Sequence, residues 1–503
     1  MWWRCGVDGV NLFFALLFCI FSFVLAVSDL DGNKLWSLGL CILLVSSFGL
    51  VFTASTVEAA EVWVDITLPN VITSAGNYNV SAGFANTEQT AVLIISADNV
   101  VVNGNGHTIE QVNPNDVGVF AMKPAGASNI VIGNFSFTMP TGLSGSTNFI
   151  NYANFDGVEI GNCTFQNSDD YAIQLSGVNS YIYNCTFEGN MNGINYGAVS
   201  SGSANGLLSG CVFVNNRYSD ITCHCDGMVF ENFVGSQATT LDGCSDVAIL
   251  GSSFTGEGSV NAYDCTDVVV DNCTFVDSYG VFVTDVQNLL IQHSVFTNHS
   301  YSPIMLMGSG LGPLTLHDNV FLGNSDSMSI AGQNVYAYNN YFGDDLVFAS
   351  SSVFGSASSF SIEPTDGVRI TGGIGQIGGN FWANSTGNGY SQIAEDVGDG
   401  FAAPYTIGFG QVDEYPLVLT EAISPPPTPT PTPPPTVPLT FPPGSGGGGG
   451  GWLPSPSPTS PAGSAPTSPP TWLGIYCHTW LLILLVVLLL IIVCAVALWS
   501  DRR

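Results

Sequence analysis

Two adjacent carboxylates, Asp169 and Asp170, precede the short run Tyr171-Ala-Ile173. An inverting glycosidase needs one protonated carboxyl and one ionised carboxyl flanking the bond, and this pair could supply both. Farther on, Glu395-Asp-Val-Gly-Asp-Gly400 places Glu395, Asp396 and Asp399 near one another. Three such carboxylates are the donor type that a hard cation such as calcium takes, and nothing else calls for a cofactor. Cys223-His224-Cys225 carries soft-metal donors but lacks a second pair at zinc spacing, so it is not read as a metal site. His293, His299, His317, Met305 and Met307 are copper-type donors spread over 25 residues without a tight motif, and they read as packed side chains.

Whatever these residues do depends on the elements that hold them, and those elements repeat. Val158-Glu-Ile-Gly-Asn-Cys-Thr-Phe165 returns about every 22 residues, as Tyr181-Ile-Tyr-Asn-Cys-Thr-Phe187, Val268-Val-Val-Asp-Asn-Cys-Thr-Phe275 and Leu289-Leu-Ile-Gln-His-Ser-Val-Phe296. Within each copy apolar and polar residues alternate with the period of a strand. A second short apolar run follows, bounded by Asn, Gly, Asp or Ser, with no room for a crossover helix. A unit this small cannot bury its apolar face alone, so copies must stack. The spacing predicts an all-β, right-handed parallel β-helix of about twelve coils, handed as crossovers generally are. A leucine-rich repeat is excluded because its Leu frame and helical return are missing.

Asn134, Asn162, Asn184, Asn272 and Asn339 each stand three residues before the repeat phenylalanine. Asparagine tolerates the left-handed conformation of a sharp corner. We expect these five to line one corner, with their amides bonded coil to coil. Cys163, Cys185, Cys211 and Cys273 share the next position, and Cys244 and Cys265, joined by Cys225, share another. Free cysteine packs as a small hydrophobe, so these columns are expected inside the coil, with disulfides the alternative.

The chain has 7 Lys+Arg against 39 Asp+Glu, and between Glu61 and Ser424 the only cations are Lys123, Arg217 and Arg369. Such a surface repels nucleic acid and anionic polymers, uronate polysaccharides included. Neutral glycans remain as ligands. Seven Asn-x-Ser/Thr sequons occur, four of them on corner asparagines; Asn79, Asn298 and Asn384 are the better glycosylation candidates.

The ends differ in kind. Residues 1–59 hold two apolar stretches, and the second reads as a signal peptide cleaved after Ala59, the first as upstream of the true start. Residues 60–424 form the β-helix ectodomain. Residues 425–471, rich in Pro, Thr, Gly and Ser, cannot bury a core and read as a disordered stalk. Residues 472–503 contain the apolar run Trp480–Trp499, long enough for a single transmembrane helix, followed by Arg502 and Arg503 on the cytoplasmic side. The ectodomain is therefore expected outside the cell membrane.

The segment Ile94-Ile-Ser-Ala-Asp-Asn-Val-Val-Val-Asn-Gly-Asn-Gly-His-Thr-Ile109, the Asn-Cys-Thr-Phe coils and the tail Gly378-Gly-Asn-Phe-Trp382 to Val412-Asp-Glu-Tyr-Pro-Leu417 together resemble NosD-like, or CASH-domain, β-helix proteins over roughly residues 62 to 420. With the stalk and anchor, the chain resembles cell-surface proteins of methanogenic archaea. The resemblance implies carbohydrate binding or sugar hydrolysis, and in one branch copper delivery. Ser168-Asp-Asp-Tyr-Ala-Ile173, with Asn192-Gly-Ile-Asn195 one coil later, is similar to the Asp-Asp and Gly-His-Gly coils of polygalacturonases, but the histidine is missing and no Arg-Ile-Lys pair follows. The expectation is a non-catalytic surface module for neutral glycans, adhesion or the cell envelope. The alternative is a polysaccharide hydrolase or lyase using Asp169 and Asp170.

Overall fold

The structure, a computed structural model, describes residues 62–419 apart from 89–90, 113–119, 123–127, 142–147, 198–203, 309–311, 345–346 and 350–351. The expected signal peptide, stalk and membrane anchor lie outside the described residues. No helix among those described is long and apolar enough to cross a membrane.

Residues 62–419 wind as a right-handed parallel β-solenoid of about 11 turns with a repeat near 22 residues. The sequence spacing predicts about twelve. After Phe342 the antiparallel hairpin Thr365–Val368/Ile374–Ile377 is inserted before the final ladder strand Phe381–Trp382. A regular coil contributes three strands, as in Ser245–Leu250, Ser253–Thr255 and Ser259–Tyr263. Each pairs in parallel with its copy one turn on: Val247 faces Val268, which faces Leu289. Two of the three ladders merge into one 24-stranded sheet through the long strands Ile150–Gly161 and Tyr171–Tyr183, and the third is a 13-stranded sheet.

Alternation fixes which side chains enter the coil. In Thr266–Asp271 the residues Val268 and Val270 are buried while Asp267 and Val269 face outward. The repeat phenylalanines form a continuous interior stack. Phe137, Phe165, Phe187 and Phe213, then Phe254, Phe275, Phe296, Phe321, Phe342 and Trp382, lie with ring centroids 4.6 to 5.0 Å apart and nearly parallel planes. One coil lacks its phenylalanine, because Gly235 pairs with Phe254. Phe233, two residues earlier, fills the space edge-on against Phe213 and Phe254.

The corner asparagines all adopt positive φ: 61° at Asn134, 52° at Asn162, 50° at Asn184 and 53° at Asn272 and Asn339. Their amides do not run as one ladder. Asn134 donates to Asn103 Oδ1 at 2.9 Å, and Asn339 donates to Asp318, but Asn162 Nδ2 has no partner. The column is interrupted by Gly210, Gly251, His293 and Asp318, which hold the same left-handed corner without an amide.

Amide ladders occur inside instead. Asn319, Asn340 and Asn380 occupy the position that earlier coils give to Cys163, Cys185, Cys211 and Cys273. Asn319 Nδ2 donates to Asn340 Oδ1 at 3.0 Å, and Asn340 Nδ2 donates to Asn380 Oδ1 at 2.9 Å. The ladder ends on Asp413, whose Oδ2 accepts from the Asn380 backbone at 2.7 Å and Trp382 Nε1 at 2.8 Å. A second ladder, Asn190 to Asn216, ends on Asp220. All eight described cysteines are buried and unbridged, as the interior reading expects.

Burial pushes Asp413 up to about 7 and Asp220 up to about 6, against the hydrogen bonds they accept. An unfolded aspartate titrates near about 3.9. Between those values the folded state holds protons that the unfolded state has lost, so stability falls as pH rises from about 4 to about 7 and then levels. The melting-temperature difference between wild type and Asp413→Asn, followed across that range, should therefore change steadily. A pH-independent difference would contradict the assignment.

Candidate functional site

The outward faces of two neighbouring strands meet at Gly161 and Tyr183. Register pairs Glu159 with Tyr181 and Gly161 with Tyr183. A side chain at Gly161 would collide with the Tyr183 ring, since an added Cβ would stand 2.1 Å from its Cζ. The missing side chain is therefore what lets the ring lie over the neighbouring strand. Tyr181 packs against Tyr183 at 4.8 Å, and the Tyr183 hydroxyl donates to Glu159. Burial pushes the Glu159 carboxyl up, partly offset by that bond. Ser209 donates to Glu231 at 2.9 Å on the same face. The result is a tyrosine platform edged by two carboxylates.

A polar cleft lies at the corner that Asn162 helps to form. Asn162 follows Gly161 in the chain, and its backbone N–H donates to the Tyr183 carbonyl at 3.1 Å. The cleft, about 400 Å³, is lined by Asn103, Asn105, Asn134, Asn162 and Thr164. Its wall is organised by the bonds Asn103 to Asn105 (2.8 Å), Asn103 to Asn79 (3.2 Å) and Asn134 to Asn103. No lining residue is charged. Amides offer donors and acceptors together, the complement of a sugar hydroxyl, which is both.

The backbone positions that carry these carboxylates are well separated. Glu231 stands three strand steps from Gly161 through Tyr183 and Ser209, roughly 14 Å at about 4.8 Å per step. The two carboxyls of an inverting enzyme stand within about 9.5 Å.

The residues singled out by sequence are dispersed. Asp169 is buried, 8% exposed, and Asp170 is half-buried with its carboxyl raised by burial. Glu395, Asp396 and Asp399 are exposed; Asp396 Oδ1 accepts from the backbones of Gly398 (2.8 Å) and Gly400 (3.1 Å), and the Asp399 carbonyl accepts from Arg369. Asn298 is exposed and Asn79 half-buried, while Asn384 donates to Asn388 at 2.6 Å and accepts from Thr386 of its own sequon. Elsewhere on the coils Tyr218, Tyr279 and Tyr301 are well exposed, Tyr171 is half-buried, and Tyr196 is a core residue.

A second cleft, about 420 Å³, is lined by His293, Asp318, Arg369 and apolar residues of the inserted hairpin region. His293 Nδ1 bonds Asp271 at 2.8 Å, and His317 Nδ1 bonds Asp318 at 2.6 Å. The Asp271 bond holds His293 above its ordinary range. Arg369 is committed to the carbonyls of Gln376, Gly400 and Asp399. His299 lies in the core, both ring nitrogens against the carbonyls of Ser278 and Phe275.

Residues 222–387 match the profile of a family described as NosD, periplasmic copper-binding protein. No curated protein matches the chain. Among solved structures, it is similar to the A-module of the mannuronan C-5 epimerase AlgE4 of Azotobacter vinelandii, with 15% identity, 60% of this chain and 91% of that one covered, and a TM-score of 0.42. It is also similar to PfbA, a surface adhesin of Streptococcus pneumoniae, with 14% identity, 69% and 90% covered, and a TM-score of 0.36. A mannuronic-acid-specific polysaccharide family 6 lyase from human gut microbiota matches with 12% identity, 67% and 87% covered, and a TM-score of 0.37. Among the described residues no group of His, Cys, Asp or Glu side chains is arranged as a metal site.

Proposed function

We propose that this NosD-like parallel β-helix protein is a non-catalytic module that binds neutral glycans at the tyrosine platform and the amide cleft beside it. The observation that carries the reading is the Tyr183 ring laid over Gly161, the chain neighbour of Asn162, which lines an uncharged, asparagine-rich cleft. An aromatic face takes the apolar face of a sugar, and the amides take its hydroxyls. The flanking Glu159 and Glu231 repel uronates, in keeping with the acidic balance of the whole chain. Display outside the cell, on the expected stalk and anchor, would present this face to envelope or neighbouring-cell polysaccharide.

The test is a glycan array probed with the protein, followed by a reducing-end assay on whatever binds. Binding to neutral oligosaccharides without release of reducing ends is the expected result. Reducing-end release that disappears in Asp169→Asn or Asp170→Asn would establish the hydrolase alternative instead.

A further inference from the structure

The core of the coils around residues 219 to 266 holds a group of sulfur atoms that glycan binding does not use. Cys223 ends the strand Ser219–Cys223, and Cys225 follows in the turn. Their Sγ atoms are 3.6 Å apart. Cys244, on the next coil, puts its Sγ 3.8 Å from that of Cys223 and donates to the Cys223 carbonyl at 3.2 Å. Cys223 is therefore the shared neighbour of two thiols on two coils. Exposure is graded: 5% at Cys225, 1% at Cys244 and none at Cys223. Tyr196, itself 3% exposed, lies among these cysteines, and its hydroxyl has no hydrogen-bond partner.

We propose that Cys225, Cys223 and Cys244 form a three-thiol relay that is oxidised by a small external disulfide and carries the new bond inward. Cys225, the most exposed, attacks the small disulfide as its thiolate; one S–S bond breaks, a mixed disulfide forms, and one small thiol leaves. Cys223 then attacks the Cys225 sulfur, forming the Cys223–Cys225 disulfide and releasing the second small thiol. In sum two protein thiols give two electrons and two protons to the small disulfide, which becomes two thiols. Cys244 can next displace Cys225 from Cys223, giving Cys223–Cys244 and restoring the Cys225 thiol with no further oxidant. Each exchange needs its sulfurs to close from 3.6 or 3.8 Å to a bond near about 2.05 Å. The free Tyr196 hydroxyl is a donor for a thiolate formed on the way. The end state links successive coils through a buried bond.

The experiment incubates the protein with oxidised glutathione, denatures it, alkylates the remaining thiols and maps linked peptides by mass spectrometry. Of the eight cysteines in the coils, two should lose their thiols, and the linked pair should contain Cys223 with Cys225 or Cys244. Cys223→Ser should stop at a Cys225–glutathione mixed disulfide and form no internal disulfide, while Cys273→Ser, outside the relay, should oxidise as wild type does. The wild-type peptide map stands whether or not a variant folds. All eight thiols surviving, a bond within Cys163, Cys185 and Cys211, or a Cys223→Ser protein that forms an internal disulfide as readily as wild type would each overturn the relay.

Discussion

Phe275→Ala should lower stability by about 3–5 kcal/mol, the range for deleting a buried phenylalanine. Phe275 is fully buried and stacked on both sides, on Phe254 at 4.6 Å and on Phe296 at 4.8 Å. Its removal opens a void that the parallel ladders cannot collapse into, because strand spacing is fixed by the backbone bonds between coils. Each coil is supported chiefly by its neighbours, so the loss falls on both interfaces of one turn. The denaturant midpoint, read with the slope, measures it. The coil with Gly235 supplies an internal comparison, since there Phe233 already covers the gap. Phe233→Ala should therefore cost a similar amount, although Phe233 stands off the repeat position. A loss below about 1 kcal/mol at Phe275 would show that the stack does not carry the core.

Asn340→Leu should cost roughly 4 kcal/mol, at about 1–3 kcal/mol for each buried polar group left without a partner. The Asn340 amide donates to the Leu316 carbonyl at 3.0 Å, the Tyr338 carbonyl at 3.1 Å and Asn380 Oδ1 at 2.9 Å. Its oxygen accepts from the Asn319 backbone and side chain, both at 3.0 Å. Leucine has the same branched outline and satisfies none of these groups. Ser294→Ala, in the same column, should cost only about 1 kcal/mol. Ser294 Oγ donates to the Gln292 carbonyl and accepts from the Cys273 backbone, so fewer groups are stranded. Equal losses at the two sites would mean that the amide ladder contributes nothing beyond one hydrogen bond.

The coil was legible in the sequence because its period is imposed at every turn: the phenylalanines, the left-handed corners and the buried cysteines each recur in register. The interior asparagines were less legible. Asn319, Asn340 and Asn380 replace cysteine in a column that reads as apolar, and the signal for them was the drift of that one position from Cys through Ser to Asn. The platform was not legible at all. Gly161 and Tyr183 lie on successive coils, and only the exact pairing across them lays the ring over the glycine. Tyr183 reads locally as an ordinary outward strand residue. Asp169 and Asp170 sit in the bend before the strand Tyr171–Tyr183, the first buried and the second half-buried.

The most direct test of the central claim is a calorimetric titration of the best-binding neutral oligosaccharide against wild type, Tyr183→Ala and Tyr218→Ala. Tyr218 is equally aromatic and more exposed, but it lies on another turn row. Tyr183→Ala should lose roughly tenfold or more in affinity, about 1.4 kcal/mol, and Tyr218→Ala none. Unchanged affinity in Tyr183→Ala, or tighter binding of a uronate oligosaccharide than of any neutral one, would contradict the claim.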